Sequence, residues 1–296
     1  MTAAVARVYA GAMAIFVGFV IWVSLVPFDY RPATLDDAAY MLWVGGSPAT
    51  VRFSVTDAIS NLLLFMPIGL LGAATLGRTR ARRGQAALVI ASGTLLSVAV
   101  EFSQAFVTWR TPSTLDVVAE CAGTALGLVV WRLFHAQVDA AATAAVAAWR
   151  RATISERLSL IYATAFALAW LFPFDFTLAP ADVGDKYLHK RLLPPFSPSP
   201  DAATPAHLAL VFAAAIPLAW TGAICGRLAG VTRPPTGTVV FAMLGLTALT
   251  IAQVAVFSRT TDFTLVVAAL PGITIGAVLS QVWRSRPRLL PTGEEV

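Results

Sequence analysis

Long apolar runs alternate along the chain with short polar connections. At 1.5 Å per residue about 20 apolar residues cross a hydrocarbon core of about 30 Å. Eight stretches reach or approach that length, near residues 6–26, 58–76, 86–107, 116–134, 158–174, 206–226, 237–257 and 263–283. Each is predicted to be a helix, because a backbone in lipid has to satisfy its polar groups within its own segment. Between the fourth and fifth runs, Val138, Ala142, Ala145, Val146 and Trp149 keep helical spacing and the far end is basic. That predicts an amphipathic linker helix over 135–157, either interfacial or an extension of the fourth span. The connection 177–205 is rich in proline and is expected to be an outer loop.

Composition agrees with this pattern: 57% of the 296 residues are apolar and 12% are charged, against about 25% charged in an ordinary soluble domain. The fold class expected is an all-α integral membrane protein with eight transmembrane helices. A net charge of +5 could suggest nucleic acid in a soluble chain. Here the basic residues sit in short connections, where they set orientation, so no nucleic-acid partner is expected. Fourteen of the 21 basic residues fall on one side of the alternation: Arg7, Arg78, Arg80, Arg82, Arg83, Arg132, Arg150, Arg151, Arg157, Arg227, Arg233, Arg284, Arg286 and Arg288. That side is expected to be cytoplasmic, with both termini inside a bacterial inner membrane. Cys121 and Cys225 lie far apart without CxxC spacing, and no His cluster accompanies them. No metal and no cofactor are expected.

The two halves echo each other. "LVPFDY" at 25–30 returns as "LFPFDF" at 171–176, Pro67 has a counterpart in Pro217, and Gln104 and Arg110 reappear as Gln253 and Arg259. They are followed by Asp116 in one half and Asp262 in the other, and the last span of each half holds a GxxxG, Gly123 to Gly127 and Gly272 to Gly276. Since four is even, a duplicated four-span unit enters the membrane the same way twice, giving two parallel repeats. The units are expected at 1–134 and 158–296, the second a degenerate copy with Thr250 where the first has Glu101.

Polar residues concentrate in the first half. With span three running outward, Glu101 lies roughly 9 Å below its outer end. Spans two and four run inward, so Asp57 and Asp116 start at the outer boundary, with Asn61 and Glu120 one turn deeper. Gln104 shares a face with Glu101, and Arg110 sits on the connecting loop, where it could meet a carboxylate through two hydrogen bonds. A charge at the centre of a membrane helix costs about 2.5 to 3.5 kcal/mol, so such residues turn from lipid toward protein or a cavity. Asp57, Asn61, Glu101, Gln104, Arg110, Asp116 and Glu120 are therefore expected to line a ligand-binding cavity open to the outside. Glu101 and Asp116 are the candidates for catalysis if a bond is made or broken there. Holding the helices together is the competing structural role for the same cluster.

Together "SLVPFD" at 24–29, "TDAISNLLLFMPIGLL" at 56–71, "RARR" at 80–83, "SVAVEFSQAFVTWR" at 97–110 and "TLDVVAECAGTALG" at 114–127 resemble the VanZ-like family of membrane proteins. The resemblance carries over to Asn61, Phe65, Pro67, Gly69, Glu101, Gln104, Arg110, Asp116 and Gly123. Where the family usually has Asn, this chain has Glu120. "DKYLH" at 185–189 is similar to a DKxxH form in other VanZ-like chains. The family takes its name from a factor for teicoplanin-type glycopeptide resistance, so the resemblance implies a cell-envelope setting.

On this reading the partners are membrane lipids and an amphiphile, such as a lipid-linked envelope precursor or a lipoglycopeptide. Two alternatives stay open. One is an integral-membrane enzyme acting on envelope lipids, with Glu101 as acid or base; the other is a structural partner in an envelope complex.

Overall fold

The computed structural model describes residues 2–45, 55–77, 82–108, 110–177, 179–197, 204–228 and 235–285. Arg78, Arg80, Arg233, Arg286 and Arg288 lie outside the described residues, as do positions 198–203 of the proline-rich loop. Eight helices are long and apolar enough to cross a membrane, one for each run found in the sequence. The chain divides into two compact units, one built from residues 1–150 with 177–179 and one from 151–176 with 180–296.

The first unit contains α1 (Ala3–Leu25), α2 (Leu35–Gly45), α3 (Val55–Leu76), α4 (Arg82–Gln104) and α5 (Thr114–Arg151). Its core lies where α1 meets α3 and α4. Val20, Phe65, Ile68 and Val100 form one buried cluster, and Val5, Tyr9, Ala73, Ala74, Val89, Leu128 and Trp131 form another. Without water to expel, helices in lipid gain by packing closely, and small residues permit the approach. A Cβ on Gly123 would overlap the carbonyl oxygen of Leu62, one on Gly127 that of Met66, and one on Gly69 that of Thr124. The seam between α3 and α5 is thus backbone on backbone. Gln85 closes the far end of α3, its Nε2 donating to the carbonyls of Ala73 and Gly77, each at 2.9 Å. Beyond the fourth apolar run α5 continues unbroken to Arg151, and Val138, Ala142 and Val146 pack on the second cluster.

At the opposite end, the turn after α1 holds Phe28 at φ 62° and then runs beside the end of α4. Tyr30 bridges Val107 in antiparallel fashion, Thr108 N donates to Asp29 O at 2.8 Å, and Arg31 N to Phe106 O at 2.8 Å. The short helix α2 begins with a reciprocal cap. Asp37 Oδ2 accepts from Thr34 N at 3.0 Å and from Thr34 Oγ1 at 2.7 Å, while Asp37 N donates to Thr34 Oγ1 at 3.1 Å. These donors hold the Asp37 carboxyl below its ordinary value. A lowered folded-state value means that the stabilisation is complete above the unfolded value, about 3.9, and is lost as pH falls through the folded one. The amides of α2 are therefore expected to exchange with deuterium faster, relative to α3, once pH drops below about 4. Exchange that stays in step with α3 would remove this cap from the account.

The second unit contains α6 (Ile154–Leu171), α7 (Pro180–Leu188), β1 (Leu192–Leu193), α8 (Pro205–Leu228), α9 (Pro235–Val254), β2 (Thr261–Asp262) and α10 (Thr264–Ser285). Thr153 and Glu156 form a capping box at the start of α6. A two-residue parallel pairing of β1 with β2 lies at one end of the unit. Trp170, Val211, Ala215, Ala219, Leu246, Leu265, Ala269, Ile273 and Ala277 make its core. Here too the seam is built on glycine: a Cβ on Gly272 would overlap Phe212 O, and one on Gly276 would overlap Ile216 O.

Candidate functional site

The expected site residues gather at the end of the first unit where α4 hands over to α5. Glu101 is 1% exposed and Glu120 2% exposed, so both carboxyls are inside the protein and not against lipid. Glu101 stands on the last full turn of α4, and its Oε2 accepts from Ser113 N at 2.8 Å. This bond ties α4 to the start of α5. Ser113 also caps that start, its Oγ accepting from Leu115 N at 3.2 Å. Asp116, half-buried one turn into α5, receives a hydrogen bond from the Asn61 side chain on α3. Asp57, one turn before Asn61, is exposed at the mouth and within electrostatic reach of Asp116. Gln104 is buried at the end of α4.

Glu120 is the deepest of the acids. It lies within electrostatic reach of Glu101 and Asp116, and the Ser97 side chain stands beside it. Ser97 is fully buried, and neither its Oγ nor Glu120 Oε2 completes a hydrogen bond. Below them Thr94 Oγ1 and Cys121 Sγ are 3.2 Å apart, and Thr124 Oγ1 donates to Glu120 O at 3.1 Å. The α4–α5 seam is thus polar from Ser113 down to Thr124. Among the described residues Glu101, Asp116 and Glu120 form no ion pair.

Arg110 also reaches the end of α1. Its Nη2 donates to the carbonyl of Val23, near the end of α1, at 2.8 Å, although it remains within electrostatic reach of Glu101. The last carbonyls of a helix have no partner within the helix, which makes them strong acceptors for a nearby guanidinium. Arg31, which the sequence reading did not single out, does similar work at α4. Its Nε donates to Ala105 O at 2.8 Å and its Nη2 reaches Met41 Sδ at 3.3 Å and Arg110 O at 3.5 Å.

The second unit has its own buried cation. Lys186, on α7 and fully buried, donates to Gln253 O at 3.1 Å, Val254 O at 3.0 Å and Val256 O at 2.9 Å, with Thr261 Oγ1 at 3.4 Å. It closes α9 as Arg31 closes α4. Asp185 and His189, the other polar members of the same motif, form an exposed pair at 3.0 Å. Gln253 Nε2 donates to Trp170 O at 2.9 Å. Arg259 donates to Phe172 O at 2.7 Å and to Ala169 O at 2.8 Å, closing α6.

Asp262 is the N-terminal cap of α10, its Oδ1 accepting from Thr264 N at 2.8 Å. That is the bond Ser113 makes to Leu115 in the first unit. Leu265, one residue after Thr264, belongs to the apolar core of this unit.

In comparison with known families, residues 7–135 match the model of the VanZ/LLP1 family. No curated protein and no solved structure matches the chain.

Proposed function

From a multi-pass membrane protein whose first half is VanZ-like, we propose a cell-envelope protein that binds an amphiphile. The ligand's polar group enters the acid and amide cluster of the first unit from the extracytoplasmic side. Asp57 and Asp116 with Asn61 form the approach, Glu101 and Gln104 the wall, and Glu120 the floor. Both termini then lie in the cytoplasm of a bacterial cell. A lipid-linked glycan or a lipoglycopeptide has the required chemistry, with a chain for the membrane and hydroxyls, amides or amines for the carboxyls.

A comparison of the two units carries this reading. We take them as duplicates of one four-helix ancestor, because Gly123 and Gly127 meet Leu62 and Met66 as Gly272 and Gly276 meet Phe212 and Ile216. The Tyr30–Val107 bridge likewise has its counterpart in Phe176–Val256. In this register Asn61, Ser97, Asp116 and Glu120 correspond to Val211, Leu246, Leu265 and Ala269. All four of the latter belong to the apolar core of the second unit. The scaffold packs without the polar cluster, so holding helices together does not explain the acids. Arg110 behaves oppositely. Its counterpart Arg259 is retained on Ala169 O, matching Val23 O, in a unit without the acids. Arg110 is accordingly a scaffold residue on this reading, and the carboxyls and amides are the ligand-facing ones.

Glu101→Gln keeps the size of the side chain and its acceptor for Ser113 N, so the fold is expected to survive. Binding of a fluorescent lipoglycopeptide to the purified protein in lipid nanodiscs is expected to weaken by roughly 10-fold or more, the effect of losing a hydrogen bond to a charged group. Equal binding by Glu101→Gln and the parent, at equal thermal stability, would defeat the proposal.

A further inference from the structure

Among the described residues, the carboxyl groups of Glu101, Asp116 and Glu120 form no ion pair. Four carboxyl groups are linked by electrostatic reach, from exposed Asp57 through half-buried Asp116 to buried Glu101 and Glu120. Of the nearby guanidinium groups, Arg110 donates to Val23 O and Arg31 to Ala105 O and Arg110 O. Both are turned toward helix-end carbonyls. At the floor Glu120 Oε2 and Ser97 Oγ lack partners although each residue is at least 98% buried. A buried acceptor left open costs about 1–3 kcal/mol, and more when charged. The Ser97 hydroxyl beside Glu120 can lend it one donor, and the lone pairs left on the two oxygens match a group that donates several hydrogen bonds at once.

We infer that the group taken up between Glu120, Ser97 and Glu101 is a primary ammonium carried by the ligand. This inference rests on the binding function proposed above and narrows its ligand. An ammonium has three donors and a charge, which suit Glu120 Oε2, Ser97 Oγ and a free lone pair of Glu101. A phosphate would be repelled by the carboxyl groups of Glu101, Asp116 and Glu120. A metal ion fits less well, since no group of three His, Cys, Asp or Glu side chains among the described residues is spaced to share one. The second unit supports the pairing, because Ser97, Glu120 and Glu101 are exchanged there for Leu246, Ala269 and Thr250 together. The whole acceptor set is replaced at once.

The test uses three amphiphiles with one acyl chain: a primary amine, its N-acetyl derivative and a phosphate monoester. Each is titrated against the purified full chain in nanodiscs of neutral lipid. The amine is expected to bind on the order of 30-fold or more tighter than the acetylated form, the effect of a buried charge pair. Glu120→Ala and Ser97→Leu, side chains that the second unit accommodates, should each bring binding of the amine down to that of the acetylated form. Competition by a short free amine distinguishes a soluble ligand from a lipid head group within the same carboxyl–ammonium chemistry. Equal binding of all three amphiphiles, or preference for the phosphate, would overturn the inference and leave amphiphile binding intact. Binding of none would remove both.

Discussion

Replacing Gly127 by alanine is expected to destabilise the first unit by about 2–4 kcal/mol, more than most single methyl additions. The added Cβ would overlap Met66 O and come within 2.8 Å of Leu70 N. Both are backbone atoms of a helix, so neither can rotate away as a side chain would. Relief requires α3 and α5 to part, which also opens the overlaps at Gly69 and Gly123. A separation at one point of the seam therefore loosens its whole length. Thermal unfolding of the detergent-purified protein, followed by tryptophan fluorescence, reads the effect. Gly11 and Gly18 supply the control, since a Cβ at either meets nothing within 4 Å. Their alanine variants are expected to stay within about 0.5 kcal/mol of the parent. If Gly127→Ala melted with those controls, the close approach of α3 and α5 would be wrong.

Lys186→Met is expected to weaken the second unit by about 3 kcal/mol. The substitution preserves most of the side-chain length and removes only the ammonium. Three carbonyls around the end of α9 and the Thr261 hydroxyl then lose their shared donor in a place closed to water. Charge-assisted hydrogen bonds are each worth about 1.5–3 kcal/mol, but bonds made by one ammonium do not add in full. Deuterium exchange separates this from a general loss of stability. Amides of α9 and of the 255–261 connection should lose protection, while those of α3 and α5 keep theirs. Unchanged protection of α9 would show that the carbonyls do not depend on the lysine. Arg31→Met is the parallel change in the first unit and should be milder, because Arg31 is half-buried and donates to two carbonyls where Lys186 donates to three.

The helices and their order were legible in advance because each depends on its own residues. A run of about 20 apolar side chains has few alternatives in lipid. Glu101 and Glu120 could also be read as inward-facing, since a carboxyl facing acyl chains is costly. Their closeness to Asp116 and Asn61 followed from depth along antiparallel helices. The carbonyl partners of the cations were not legible. Arg110 was read for its reach to a carboxylate, and the structure adds a bond to the carbonyl of Val23 at the end of α1. Lys186 and Arg31 were missed for the same reason, because an unsatisfied carbonyl leaves no mark on composition or periodicity. The pairing of Asp116 with Asp262 rested on order alone, since Asp116 stands six residues after Arg110 and Asp262 only three after Arg259.

By itself the sequence determined that this chain is helical and multi-pass, with its acids drawn into one end of the first half, since hydrophobic length and the expense of buried charge act residue by residue. Only the tertiary structure decided which groups meet. The rotation of each helix is set by glycines lying on a neighbour's carbonyls, and those carbonyls, closed off by Arg31, Arg110 and Lys186, come from segments distant in the chain. It is the packing, too, that puts carboxyls at the α4–α5 seam of the first unit and an apolar core in the second.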